Sequence, residues 1–218
     1  MIDWKNIDTV FLDMDGTLLD LHYDNYFWLT HLPQRFAELK GIEHKEANKR
    51  LNEMFTRYHG SLNWYCLDFW ADELDIDLMS LKHEVANRIA YRPNAKEFLE
   101  ALKQQGYRAV LVTNAHQGSI DIKFKYTDLE SLVHDVVCSH DYRKPKEDVS
   151  FWKDFHQQKP FLHRSTLFID DNESVLKSAR EAGIKHLVSI ATPDSQKEAR
   201  KESEFPLMSD FIDVLPHD

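Results

Sequence analysis

Four polar clusters in this 218-residue chain have residue types and spacing that could do chemistry. Asp13 and Asp15 stand two apart, followed by Gly16-Thr17. Thr113-Asn114 ends an apolar run, Arg143-Lys144-Pro145-Lys146 is a basic loop, and Asp170-Asp171 follows Phe168-Ile169. Four carboxylates drawn together repel one another unless a cation joins them. Oxygen ligands without His or Cys select a hard ion, and Mg²⁺ is the natural candidate. Mg²⁺ shares its coordination with water and phosphate, and the remaining groups suit a phosphate: a hydroxyl and an amide from Thr113 and Asn114, and a lysine as point charge. The chemistry this set points to is phosphoryl transfer. Asp13 would attack phosphorus and form an aspartyl-phosphate. Asp15 would protonate the leaving oxygen, then deprotonate the water that hydrolyses the intermediate. Gly16 lets the chain turn so that backbone N–H groups approach the phosphate.

These groups can act together only if the elements between them bring them to one place. Thr9-Val10-Phe11-Leu12 reads as a buried strand running into a Gly-containing turn. From Tyr23 to Ala90 there is no strand pattern. Leu62, Tyr65, Phe69 and Leu74 recur at near-helical spacing, and Gly41 and Gly60 punctuate helices, so this stretch reads as a helical bundle inserted after the first strand. From Arg92 the rhythm alternates. A helix with Pro93 in its first turn runs to about Gln105, where Gly106 stops it. Strands follow over 107–112, near 133–138 and over 166–169, with 186–190 as the last. Helices lie around 119–126, near 148–157 and over 174–182, the last closed by Gly183. Residues 195–204 read as a charged helix or linker with a solvated face. The alternation predicts an α/β fold, a parallel sheet with helices on both faces. Ligands of such a sheet sit beyond the carboxyl ends of its strands, where the polar clusters fall.

Composition narrows the partners. Lys and Arg number 27 against 37 Asp and Glu, a net charge of −10 that repels phosphate backbones and anionic lipid. Nucleic-acid polymers and membranes are therefore not expected partners, whereas a small phosphate ester held by local cations or a metal is. Apolar residues make up 42% of the chain, enough for a sizeable core. Cys66 and Cys138 are too few for a disulfide framework or a zinc site and fit a reducing compartment. With no basic-apolar leader at Met1-Ile2-Asp3-Trp4-Lys5, the expected location is the cytoplasm. Nothing in the sequence speaks to oligomeric state.

Asp13-Met14-Asp15-Gly16-Thr17-Leu18, Leu111-Val112-Thr113-Asn114, the Lys-Pro loop and Phe168-Ile169-Asp170-Asp171 resemble, in order, the four motifs of the haloacid-dehalogenase-like hydrolases. The resemblance implies a Rossmann-like doubly wound parallel sheet, Mg²⁺ dependence and an aspartyl-phosphate intermediate. The helical insertion resembles that family's first type of cap (C1), which divides the chain into a core of 1–19 plus 92–218 and a cap of 20–91. Dehalogenase members lack the second aspartate of the first motif, so Asp15 favours a phosphatase or phosphomutase. Within the family, the segments from Leu19 to Trp28, Leu62 to Asp68, Thr113 to His116 and Pro145 to Asp148 are similar to the bacterial GMP/IMP 5′-nucleotidases. That likeness covers nearly the whole chain and implies hydrolysis of purine nucleoside 5′-monophosphates to nucleoside and phosphate.

Carried over by matching position, Asp13 resembles the nucleophile and a metal ligand. Asp15 resembles the acid/base and lends a backbone carbonyl to the metal. Thr113 and Asn114 would bind phosphate. Asp171 resembles the direct metal ligand, with Asp170 in a supporting or water-bridged place. A lysine directly before proline, the family's usual arrangement, names Lys144. The aromatic six residues further on (Trp152) and the Pro-Lys-Glu-Asp run select Lys146, which is preferred.

Tyr26, Phe27, Trp28, Trp64, Tyr65, Phe69 and Trp70 are core-formers by default, with one or two left to stack on a base. Trp28 and Trp64 are the candidates. Asn25 and Asn63 would either hydrogen-bond a purine edge or serve as local caps. Because the catalytic motifs do not encode the leaving group, a sugar phosphate or phosphoglycolate stays open as substrate. So does a non-catalytic binding module on the same fold.

Overall fold

The computed structural model describes residues 2–216. After β1 (Thr9–Leu12) the chain leaves the sheet for α1 (His22–Tyr26), which continues through a π-helical turn at Phe27–His31 into α2 (Leu32–Lys40). Then come α3 (His44–Tyr58), α4 (Leu62–Tyr65), α5 (Leu67–Leu74) and α6 (Leu78–Glu84). The second half runs α7 (Ala95–Gln104), β2 (Arg108–Thr113), α8 (Gln117–Tyr126), α9 (Leu129–Leu132), β3 (Asp135–Cys138) and α10 (Val149–Gln158). It closes with β4 (Thr166–Asp170), α11 (Glu173–Glu181), β5 (His186–Ile190) and β6 (Leu207–Met208).

The six strands among the described residues pair in parallel in the order β3-β2-β1-β4-β5-β6. This is a doubly wound, Rossmann-like α/β sheet, and its order reverses between β1 and β4. Alternation along β1 explains the two layers: Val10 and Leu12 join Phe98, Leu99 and Leu102 of α7 on one face. Phe11 joins Phe151, Trp152 and Phe155 of α10 and Val175 and Leu176 of α11 on the other. A strand buried on both faces must be apolar throughout, and for that reason it reads as an unbroken run in sequence.

The helices between Leu19 and Tyr91 bury a separate cluster in which Tyr23, Phe27, Leu51, Trp70, Leu74 and Leu78 are nearly inaccessible. Two chain crossings tie this insertion to the sheet. Leu19 bridges Tyr91, the Asp20 N–H donates to the Ala90 carbonyl at 2.9 Å, and the Arg92 N–H donates to the Leu18 carbonyl at 2.9 Å.

The structure departs from the sequence reading in three places. A sixth strand, β6, extends the sheet beyond β5; two residues are too short to leave a periodic signature. α7 begins at Ala95, two residues past Pro93, because Asn94 takes a left-handed conformation (φ 57°) ahead of it. Residues 195–204 form neither a helix nor a free linker. The Arg200 N–H donates to the Ala191 carbonyl at 2.8 Å, which folds the segment back on the sheet. No helix among the described residues is long and apolar enough to cross a membrane.

Candidate active site

The carboxyl ends of β1, β2 and β4 deliver Asp13, Thr113 and Asp170 to one rim: the pairing of Leu12 with Leu111 and Ile169 sets Asp13 level with Asp170, and Thr113 one residue further along β2. The Asp13 N–H continues the ladder by donating to the Ile169 carbonyl at 3.0 Å. Beyond it the chain turns at Gly16, whose φ is +87°. A Cβ there would lie 2.8 Å from the Asp171 carboxylate and 3.1 Å from Pro193, so only glycine lets the turn pass beneath that carboxylate.

Lys146 reaches the same place from the loop before α10. Its buried ammonium donates to Asp13 Oδ1 at 2.5 Å, Asp170 Oδ2 at 2.7 Å and the Val112 carbonyl at 3.0 Å. The loop is fixed from behind: Trp152 Nε1 donates to the Lys146 carbonyl at 2.9 Å, and Asn114 Oδ1 accepts from the Lys146 N–H at 2.8 Å. The contact with Trp152 gives the six-residue spacing a physical meaning. Lys144 points elsewhere and pairs with Asp154 at 2.6 Å, partly exposed.

Oxygens of Asp13, Asp170 and Asp171 lie within 4.8 Å of one another. Burial pushes the Asp13 carboxyl up to about 6 against the pull of Lys146. It likewise raises Asp170, and Asp171 well above the usual carboxylate range, where the neighbouring acids add to the effect. An oxygen-only set held this way is short of positive charge and fits a hard divalent cation. The acids differ in what they have left to offer. Asp170 spends one oxygen on Lys146 and the other on the Asn172 N–H at 2.7 Å. The Asp171 carboxylate makes no hydrogen bond among the described residues, and only its backbone carbonyl is engaged, by Arg200 at 2.9 Å.

Asp15 is set apart from that trio. Its carboxylate faces Lys123 of α8, and burial moves it up to about 6 despite that ammonium. The Thr113 hydroxyl oxygen accepts from the Ala115 N–H at 3.0 Å, which leaves the hydroxyl proton free to donate. Asn114 uses both ends of its amide internally: the oxygen on Lys146, and the nitrogen on Glu147 Oε2 at 2.9 Å. Its side chain therefore organises the lysine loop.

Above these groups opens a cavity of about 300 Å³, walled by Trp28, Phe55, Trp64, Tyr65 and Trp70 from the insertion and floored by Asp13, Thr113, Lys146 and Asp171. Asn25 also lines it, with Nδ2 committed to Asp194 at 2.6 Å. Asn63 is exposed and does not line it.

Three partners escaped the sequence reading. Glu147 receives Tyr65 at 2.6 Å, Asn114 at 2.9 Å and Asn172 at 3.3 Å, joining the insertion to two core loops. Arg200 comes from the tail read as a solvated face. Lys123 shares the buried face of α8 with Ser119 and Ile120, four and three residues earlier. A lysine on an apolar stripe was the available signal.

The sequence profile described as haloacid dehalogenase-like hydrolase matches residues 10–189. The chain is 35% identical over 215 residues to the GMP/IMP nucleotidase YrfG of Escherichia coli (strain K12), a match covering 99% of this chain and 97% of that protein. A protein of the same name from Shigella flexneri matches equally. Among solved structures, a HAD phosphatase from Thermococcus onnurineus superposes with a TM-score of 0.78 at 18% identity, covering 95% of this chain and 96% of the other. An L-2-haloacid dehalogenase from Xanthobacter autotrophicus superposes with a TM-score of 0.59 at 13% identity, over 95% and 96%. At such identities the structural likeness speaks for the fold alone.

Proposed function

The chain belongs to the haloacid dehalogenase-like hydrolases, and from that premise we propose that it is a Mg²⁺-dependent phosphatase for purine nucleoside 5′-monophosphates, GMP and IMP foremost. The observation that carries the reading is one ammonium, Lys146, bonded to Asp13 and Asp170 at the floor of an aromatic-walled cavity. The floor suits a phosphate and the walls suit a planar base. The 35% identity to a GMP/IMP nucleotidase supports the choice of base.

Roles follow from what each side chain has free. Asp13 Oδ1 is fixed by Lys146, leaving the other oxygen to attack phosphorus. Lys146 then faces the charge that grows on the phosphoryl oxygens. The Thr113 hydroxyl proton and backbone N–H groups near Asn114 orient the phosphate. Asp15 is the acid/base, and its pKa of about 6 suits a group that gives and takes a proton near neutrality. The unpartnered Asp171 carboxylate, Asp13 and the Asp15 backbone carbonyl would hold the magnesium ion, with Asp170 supporting them. Bound there, the ion neutralises charge on the phosphoryl group. Trp28 and Trp64 are the stacking candidates; the exposure of Asn63 weighs against its reading a base edge. The segment 20–91 acts as the cap, joined to the core loops through Tyr65 and Glu147. The two free cysteines are compatible with action in the cytoplasm.

A substrate panel tests this. With Mg²⁺, phosphate is released from GMP and IMP faster than from CMP, UMP, sugar phosphates or phosphoglycolate. Equal or greater turnover of a sugar phosphate would reject the nucleotide assignment and leave the phosphatase chemistry standing.

A further inference from the structure

A line of alternating charges runs from the site into the helical insertion. The Lys123 ammonium, 1% exposed, donates to Asp15 Oδ1 and, at 2.8 Å, to Asp24 Oδ2. Lys82, fully buried on α6, donates to Asp24 Oδ1 at 3.1 Å. Asp15 and Lys123 belong to the sheet layer, Asp24 and Lys82 to the insertion. Aromatic rings wall the line: Lys82 Nζ lies 4.9 Å from the Tyr23 ring and 4.5 Å from that of Phe27, and Lys123 Nζ 5.7 Å from that of Tyr23. Burying two ammonium groups is expensive, and apolar residues of similar volume fill such a space at no loss of stability. A buried line of this kind, with one end on a residue facing the substrate cavity, calls for a role in function.

We propose that Lys123 is the positioning residue of Asp15. It pins one carboxylate oxygen and leaves the other to carry the proton. Asp24 makes that pinning depend on the seating of the insertion against the core. The inference rests on the reading of Asp13 as nucleophile and Asp15 as acid/base. In the first step Asp13 forms its bond to phosphorus, the ester P–O bond breaks, and the leaving oxygen takes the proton of Asp15. In the second, water attacks phosphorus, Asp15 takes one of its protons, and the P–O bond to Asp13 breaks. Phosphate leaves, and both aspartates return to their starting states.

The test separates the two steps with Lys123→Met and two esters, GMP and p-nitrophenyl phosphate, whose phenolate leaves without a proton. With GMP, Lys123→Met lowers kcat about a hundredfold, the range of general acid–base catalysis, and hardly changes KM. With p-nitrophenyl phosphate the variant releases one equivalent of phenolate in a rapid burst and then turns over slowly, because only water activation has suffered. Lys123→Arg recovers part of the rate. Lys123→Met with Asp24→Asn, which removes one charge of each sign, keeps the fold if the single variant does not, and shows the same burst. Equal slowing of both esters without a burst, or an unchanged kcat for GMP, overturns the proposal. If the wild-type protein hydrolyses neither ester, the phosphatase reading falls and this inference with it. If it hydrolyses both and Lys123→Met behaves like wild type, only the role of Lys123 falls.

Discussion

Burial raises the cost of a negative charge on Asp13, Asp15, Asp170 and Asp171 together, and Lys146 and Lys123 offset only part of it. The sign of the consequence is fixed. Asp13 and Asp15 hold their protons to about pH 6 when folded and to about 3.8 when unfolded. Between those values the folded chain binds more protons, so metal-free stability falls as pH rises through that window. Asp24 works the other way: burial opposes its charge, but Lys123 and Lys82 hold it at about 2, so what it contributes is lost only below pH 4. A divalent cation binds the ionised acids and relieves their repulsion. The rise in melting temperature on adding Mg²⁺ is therefore larger at pH 7 than at pH 5. Calorimetry at both values checks this, and an equal rise at the two would count against a metal held by these carboxylates.

At the scale of elements, the turn after β1 controls how the acids meet. Gly16 combines a left-handed backbone with an approach of 2.8 Å between the missing Cβ and Asp171. Alanine there costs about 1–2 kcal/mol in backbone strain and displaces Asp171 as well. Gly16→Ala is expected to lower the melting temperature by a few degrees and to cut activity and Mg²⁺ affinity by tenfold or more. Wild-type Mg²⁺ affinity in a destabilised variant would detach Gly16 from the proposed metal site. The strands that matter most here, β1, β2 and β4, were legible because a doubly buried strand is an apolar run and its polar end breaks the run abruptly. The two-residue β6 and the folded-back tail were not, since neither has a period to detect. Trp152 was legible as a spacing, and the structure supplies its cause, the hydrogen bond that braces the Lys146 loop.

At the scale of the molecule, the sheet order places the site at the reversal between β1 and β4, and the insertion closes the space above it. What sequence left unread was what joins these two bodies. Lys123 meets Asp15 across 108 positions, Lys82 meets Asp24 across 58, and Tyr65 meets Glu147 across 82. Local propensity carries no record of such pairs, and a lysine on a helix reads by default as solvated. The acids of the candidate site share one rim because each strand end exposes its polar residue at a fixed place, whereas their buried partners come from helices whose rotation the fold decides. The most direct measurement is acid quenching of the protein during turnover of GMP labelled in its phosphate, followed by peptide mapping. The account predicts label bound to the peptide carrying Asp13, absent from Asp13→Asn, whose turnover is abolished with its fold intact. Phosphate release that continues in Asp13→Asn, or label carried on another residue, would contradict it.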